Sequence, residues 1–337
     1  MSLDVSNHCQ EESLAKPEAI SPFKRFIRAS LRTRELMLIV MILAIIVTMS
    51  LITPYFLSLS NFRAVAVGMT PTAIIAIGMA ILLASGGFDL SVGSVMALSS
   101  TVVTLLLIAG LSIPMAVVAG LLLGASAGLV NGCLIAFVGI NPLVATLGTM
   151  SVARGVALVL TEGFSISNLP ASFAWVGKTS LAGIPMLVLL TVVLVALFDV
   201  LVRHTRFFRQ VYFIGANERA ALLSGIAVNR VRIIAYVLTG TFAALAGILL
   251  ASRLMSGTPT AGNALELQVL AAAVIGGASL RGGEGTILGA FLGVIFVALI
   301  NNAMTMLAIS IYWQMIVTGT VLVVAVALDM LVRRRTN

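Results

Sequence analysis

Apolar runs of about twenty residues, broken by short polar stretches, fill the chain from residue 36 almost to its end. A helix needs roughly 20 apolar residues to cross about 30 Å of hydrocarbon. Ten such runs can be drawn: 36–58, 64–84, 91–110, 114–138, 142–161, 183–202, 233–252, 267–280, 287–308 and 311–331. The eighth is short, and 253–286 reads as a stretch containing a re-entrant or broken helix. Residues 90–153 contain no charge, so the third and fourth runs also admit other divisions. The pattern predicts an all-α fold, a polytopic membrane helical bundle of about ten transmembrane helices over 36–331. A polar amino-terminal tail, 1–35, precedes it and a basic tail, 332–337, follows.

Composition sharpens this picture. Of 337 residues 60% are hydrophobic and 9% charged, against about 25% charged in an average soluble domain. Mean hydropathy is +1.15. Arg63, Asp89 and Arg154 are the only charges between Glu35 and Glu162. Such a chain cannot cover a globular surface with polar groups, which excludes a soluble enzyme, a nucleic-acid binder and a disordered protein. The pI of about 10.3 reflects basic residues in loops and tails rather than a nucleic-acid surface.

The basic residues also orient the chain. With the amino terminus inside, 16 of the 20 Lys and Arg fall in the inner segments 1–35, 203–232, Arg281 and 333–335. Only Arg63, Lys178 and Arg253 fall outside, and Arg154 lies within a span. This positive-inside bias places both termini in the cytoplasm. The first 35 residues are too long and polar for a signal peptide, so the amino terminus reads as retained. Within it, Phe23–Arg28 mixes aromatics with cations, as a helix on anionic membrane lipid does; a plain positive-inside anchor is the alternative.

Little catalytic chemistry is on offer. Cys9 and Cys133 are not placed for a disulfide, and His8 and His204 form no metal cluster. Gly177-Lys178-Thr179 looks like the end of a Walker A loop, but Ser172 stands where its first glycine belongs. No intramembrane Ser-His pair or aspartate pair is available, so neither an enzyme nor a bound cofactor or metal is expected. Asp89, Asn131, Arg154 and Asn301 are the polar span residues with a stake in a translocation path. Each has a structural alternative: helix capping for Asp89, snorkelling for Arg154, interhelical hydrogen bonds for the asparagines. Glycines 120, 124, 128 and 132 line one face of the fourth span, and Gly285, Gly289 and Gly293 repeat the pattern; close helix packing within the bundle is the expectation. Gly86-Gly87-x-x-Leu90-x-x-Gly93 recurs as Gly276-Gly277-x-x-Leu280-x-x-Gly283 at an offset of 190, an internal repeat or a chance echo.

The inner loop 203–232 carries Gly215-Ala-Asn-Glu-Arg-Ala-Ala-Leu-Leu-Ser-Gly-Ile226. Glu218–Leu223 are good helix formers and Gly225 is a natural helix stop, so a short helix on a basic loop is predicted: a docking piece or a solvated turn. Ala220-Ala221-x-x-x-Gly225 resembles the loop by which permeases of bacterial ABC importers grip their ATPase. Residues 86–98, 141–155, 214–226, 248–262 and 266–286 look like the ribose-type sugar permeases, and the likeness runs from about 36 to 331. Arg219, where the loop usually has glutamate, and Glu284, where a basic residue is common, depart from the pattern.

That resemblance implies a permease subunit in the bacterial inner membrane, paired with a second copy or close paralogue. A cytoplasmic ABC ATPase would supply ATP hydrolysis and a periplasmic sugar-binding protein would deliver a monosaccharide. Gly215, Asn217, Glu218, Ala220, Ala221, Gly225 and Ile226 would dock the ATPase. The rival reading from the residues is an ion-coupled secondary transporter of a small polar solute, for which Asp89 is the one candidate membrane carboxylate.

Overall fold

The computed structural model describes residues 34–334. The tail 1–33, with Phe23–Arg28 and Cys9, and the end 335–337 lie outside the described residues. The described residues form fourteen α-helices: α1 Arg34–Ile52, α2 Leu59–Gly68, α3 Thr70–Ala84, α4 Val92–Ile108, α5 Ile113–Cys133, α6 Pro142–Thr161 and α7 Ala174–Lys178. They continue with α8 Met186–His204, α9 Arg206–Ala216, α10 Glu218–Leu223, α11 Val228–Leu254, α12 Leu265–Ile275, α13 Ile287–Met306 and α14 Ile311–Arg334. A π-helical turn, Leu134–Val138, extends α5 until Gly139 stops it in the left-handed conformation. One two-residue hairpin pairs Ser180–Leu181 (β1) with Ile184–Pro185 (β2).

Six of these helices, counting the π turn with α5, are long and apolar enough to cross a membrane: α1, α5, α6, α8, α11 and α13. A seventh span exists if α2 and α3, bent by 43° at Met69, are taken together. Length and composition therefore do not confirm ten. The expected run 64–84 is split, 91–110 and 267–280 shrink to the shorter helices α4 and α12, and 233–252 starts earlier, at Val228.

The bend has a local cause. Pro71 lacks the N–H that would reach the carbonyl of Val67, four residues back. That carbonyl instead accepts the Thr70 hydroxyl at 2.8 Å and the Arg253 guanidinium at 3.4 Å.

The core forms around α11 and α3. Thirteen of the fifteen residues of α3 are buried, and it is apolar on all sides, as a helix surrounded by other helices must be. α11 packs against α3, α4 and α5, and 61% of its apolar window is buried against 11% for α1. The glycine face of α5 makes its approach possible. A Cβ on Gly124 or Gly128 would overlap the Gly240 or Tyr236 carbonyl of α11, and one on Gly120 would overlap Val103 of α4. Ser99 ties the same junction by donating to the Gly120 carbonyl at 3.2 Å. Gly289 and Gly293 likewise bring α13 onto Gly276 and Ala272 of α12. Outward, Leu43, Val47, Leu122, Val144, Val152 and Val159 are exposed. An apolar surface that extensive needs lipid as its solvent.

Candidate functional site

The loop 203–232 folds largely into two short helices between α8 and α11. α9 is amphipathic and seats Phe208, Val211 and Ile214 in the core. α10 begins at Asn217, whose side chain accepts the Ala220 N–H at 3.0 Å, and is followed by Gly225 at φ 79°. The predicted short helix and its stop are therefore present, whereas α9 was not anticipated. Glu218 pairs with Arg232 at 2.9 Å, pinning α10 to the start of α11. Ala221 and Ile226 hold its inner side, and Ala220 and Arg219 are exposed. Between α9 and α10 opens a hollow of about 570 Å³, lined by Arg206, Arg209, Gln210, Phe213, Asn217 and Ala220 among others. A concave, cationic, amide-bearing surface of this kind suits a protein partner's side chains.

Gly215, at the end of α9, is tightly packed on two sides. A Cβ there would overlap both the Ala84 carbonyl at the end of α3 and the Gly283 amide beyond α12. These two groups are themselves bonded, Gly283 N–H donating to Ala84 at 2.9 Å. Tyr212, one turn earlier, donates its hydroxyl to the Gly285 carbonyl at 2.7 Å. Burial holds that phenol above the ordinary tyrosine range, with nearby Asp199 adding to the effect, so it keeps its proton and goes on donating. This loop thus touches the ends of two helices at once.

Those two helix ends share one geometry, though not in the register the sequence shows. Gly86 and Gly277 take φ of 82° and 97°, and the bonds Gly87 to Leu82 and Ala278 to Ala273 close equivalent turns. Gly86 therefore matches Gly277, at an offset of 191, not Gly276, whose φ of −65° is ordinary. The letter-by-letter echo is shifted by one residue from the structural one.

Asp89 and Asn131 meet in a closed network. Asp89 Oδ1 accepts the Ser91 N–H and hydroxyl at 2.7 and 2.6 Å, and Oδ2 accepts from Asn131 Nδ2 at 3.4 Å. Asn131 Nδ2 also donates to Ser91 Oγ at 3.1 Å, and the Thr149 hydroxyl donates to Asn131 Oδ1. Asp89 is 1% exposed and Asn131 0%. Tyr236, buried on α11, donates to the Phe88 carbonyl at 3.1 Å. The cluster locks the loop after α3 to α5, α6 and α11. Arg154 stands apart from it: its guanidinium donates to the Pro259 carbonyl and, at 2.8 Å, to that of Ala261, holding the loop before α12. Gly177 of the Walker-like triplet sits on the backbone of α11 at Ser252–Arg253 and donates to Ser252 Oγ at 3.0 Å, a packing position.

Asn301 lies elsewhere again, in a cleft of about 270 Å³ between the α2–α3 bend, α12 and α13. The neighbouring Asn302 is consumed by a reciprocal amide pair with Asn61, at 2.8 and 3.1 Å. Sequence reasoning missed Tyr212, Thr149, Tyr236 and Gln268. Their partners lie 18 to 148 residues away along the chain, or in the cleft wall, so no local pattern marks them.

Comparison with known proteins covers nearly the same span. The family model described as "Branched-chain amino acid transport system / permease component" matches residues 61–326. The chain is 39% identical over 287 residues to the ribose import permease protein of Bacillus subtilis (strain 168), covering 85% of this chain and 89% of the relative. It is 37% identical over 317 residues to that of Escherichia coli (strain K12), covering 93% and 98%. The L-arabinose ABC transporter permease protein of Azospirillum brasilense is 37% identical over 292 residues, covering 87% and 86%. No solved structure matches the chain.

Proposed function

The chain belongs to the branched-chain amino acid transport system / permease component family, and from that membership we propose that it is the transmembrane permease subunit of an ATP-driven ABC importer for a ribose-like monosaccharide. What carries the reading is the near end-to-end kinship with permeases named for ribose and arabinose import. The geometry supplies the means. The hollow between α9 and α10 receives a cytoplasmic ATPase, through Asn217, Glu218, Ala220, Ala221, Gly225 and Ile226. Gly215 and Tyr212 then pass its movement to the ends of α3 and α12 together. ATP is bound and hydrolysed by that partner and not by this chain, which is a transport subunit rather than an enzyme. A periplasmic binding protein presents the sugar at the opposite face, and a second copy or paralogue completes the pathway. Both termini lie in the cytoplasm of a bacterial inner-membrane protein. Asp89, Asn131 and Arg154 hold the frame of the path.

The test is uptake of labelled ribose and arabinose by cells expressing this chain with its ATPase and binding protein. Each assay runs with an intact ATPase and with one disabled at its nucleotide site. We expect uptake only with the intact ATPase. Uptake that survives the disabled ATPase and collapses with an uncoupler would replace this reading with an ion-coupled secondary transporter.

A further inference from the structure

We infer that the cleft between the α2–α3 bend, α12 and α13 is a neutral-sugar binding site, with Gln268 and Asn301 as its two recognition amides. This rests on the importer reading and adds to it a place and a selectivity.

The position comes first. Gly276 and Gly289, where α12 and α13 touch, lie at the end of the bundle that meets the docking loop. Asn301 is twelve residues further along α13, or about 18 Å at 1.5 Å per residue. Gln268 is eight residues back along α12, or about 12 Å. The cleft therefore lies away from the end that carries α9 and α10, toward the half of the bundle where an importer receives its cargo.

The chemistry follows from what the lining does and does not contain. Asn302, Thr305 and Asn61 already satisfy one another or the backbone: Asn302 pairs with Asn61, and Thr305 donates to the Asn301 carbonyl at 2.8 Å. Among the described residues, the side chains of Gln268, Asn301 and Thr72 make no hydrogen bond, although all three line the cleft. Each amide offers two donors and an acceptor, the complement of adjacent sugar hydroxyls. No lining residue is charged, and Arg253, which reaches the α2–α3 bend, is engaged with the Val67 carbonyl.

An amino-acid zwitterion would have to shed the hydration of two charges with no charged partner to replace it, whereas a polyol loses only hydrogen bonds that amides restore. The family description names branched-chain amino acids; the lining of this cleft does not suit them. A volume of about 270 Å³ falls just under the ~300–1,000 Å³ of pockets for drug-sized ligands, room for one monosaccharide. The apolar walls, among them Met69, Val294 and Val297, suit the C–H faces of a sugar ring.

The test uses the permease reconstituted into proteoliposomes with its ATPase and binding protein. Ribose, arabinose and leucine serve as labelled probes. Gln268→Leu and Asn301→Leu should each lower sugar uptake about tenfold, while Gln268→Asn and Asn301→Gln should recover part of it. Single cysteines at 268 and 301, in a Cys9→Ser, Cys133→Ser background, provide a readout that does not depend on turnover. A membrane-impermeant maleimide applied from the binding-protein side should label both, and millimolar ribose should slow labelling at least threefold.

Leucine-substituted proteins that transport within twofold of the parent would overturn the site. So would cysteines that stay unlabelled, or whose labelling ribose does not slow. Leucine transport in place of sugar transport would overturn the selectivity. A parent complex that takes up no probe under ATP would instead remove the importer reading itself, so the two failures are distinct.

Discussion

Asn217 shows how much one side chain does when it sits at the start of a six-residue helix. α10 is too short to persist on its own propensity, and nucleation costs more than so few hydrogen bonds return. It depends on the cap, on the Glu218–Arg232 pair and on the buried Ala221. Asn217→Ala removes a cap worth about 1 kcal/mol. The ATPase should then bind the permease about fivefold more weakly, read by titrating purified ATPase onto the detergent-solubilised permease, while the melting temperature of the permease changes little. The helix itself was readable from the helix formers Glu218–Leu223 and the Gly225 stop, whereas the cap by Asn217 was not read from the sequence. The buried Asp89 is the opposite case. Its position just before a span permitted a cap or a path residue; in the structure Oδ1 accepts the Ser91 N–H and hydroxyl nearby, and only the arrival of Asn131 from α5 shows what Oδ2 accepts.

At the scale of elements, the glycine stripe of α5 sorts structural glycines from tolerant ones. Gly128→Leu drives a side chain into the Tyr236 carbonyl of α11, a backbone group that cannot move aside. Overpacking of this kind costs about 1–3 kcal/mol or more, and we expect the protein to melt markedly earlier in detergent or to fail to accumulate. Gly148 of α6 has nothing within 4 Å of where a Cβ would stand. Gly148→Ala should therefore raise stability by up to ~1 kcal/mol through helix propensity alone. A thermal melt of the two variants beside the parent separates these outcomes. The four-residue stripe already marked Gly128 for close packing and left Gly148 out, and the structure shows another backbone beside the first and none beside the second.

For the whole molecule the decisive contact is the knot of α9 with the ends of α3 and α12. Tyr212→Phe deletes one hydrogen bond, worth about 1 kcal/mol, without disturbing α10 or the hollow beside it. The ATPase should still bind with parental affinity. Sugar moved per ATP hydrolysed should fall severalfold, because Gly285 and its loop no longer follow α9. A ratio that stays at the parental value would show that the tyrosine serves packing alone.

Membrane class, helical content, the neighbourhood of the spans and the short helix Glu218–Leu223 were all legible along the chain. They are local: twenty apolar residues, a run of helix formers and a glycine stop each lie within a short window, and a lone span in lipid has to satisfy its backbone as a helix. The bend at Pro71 had a local cause too, but continuous hydropathy hid it. What only the tertiary structure decided is which helix ends meet, that the two glycine turns correspond at a one-residue shift, and that Asn302 is spent on Asn61 while Asn301 is not. Those facts depend on partners tens to hundreds of residues away. In an almost uniformly apolar chain no sequence pattern announces such pairs, because it is close packing between small residues, and not polarity, that selects them.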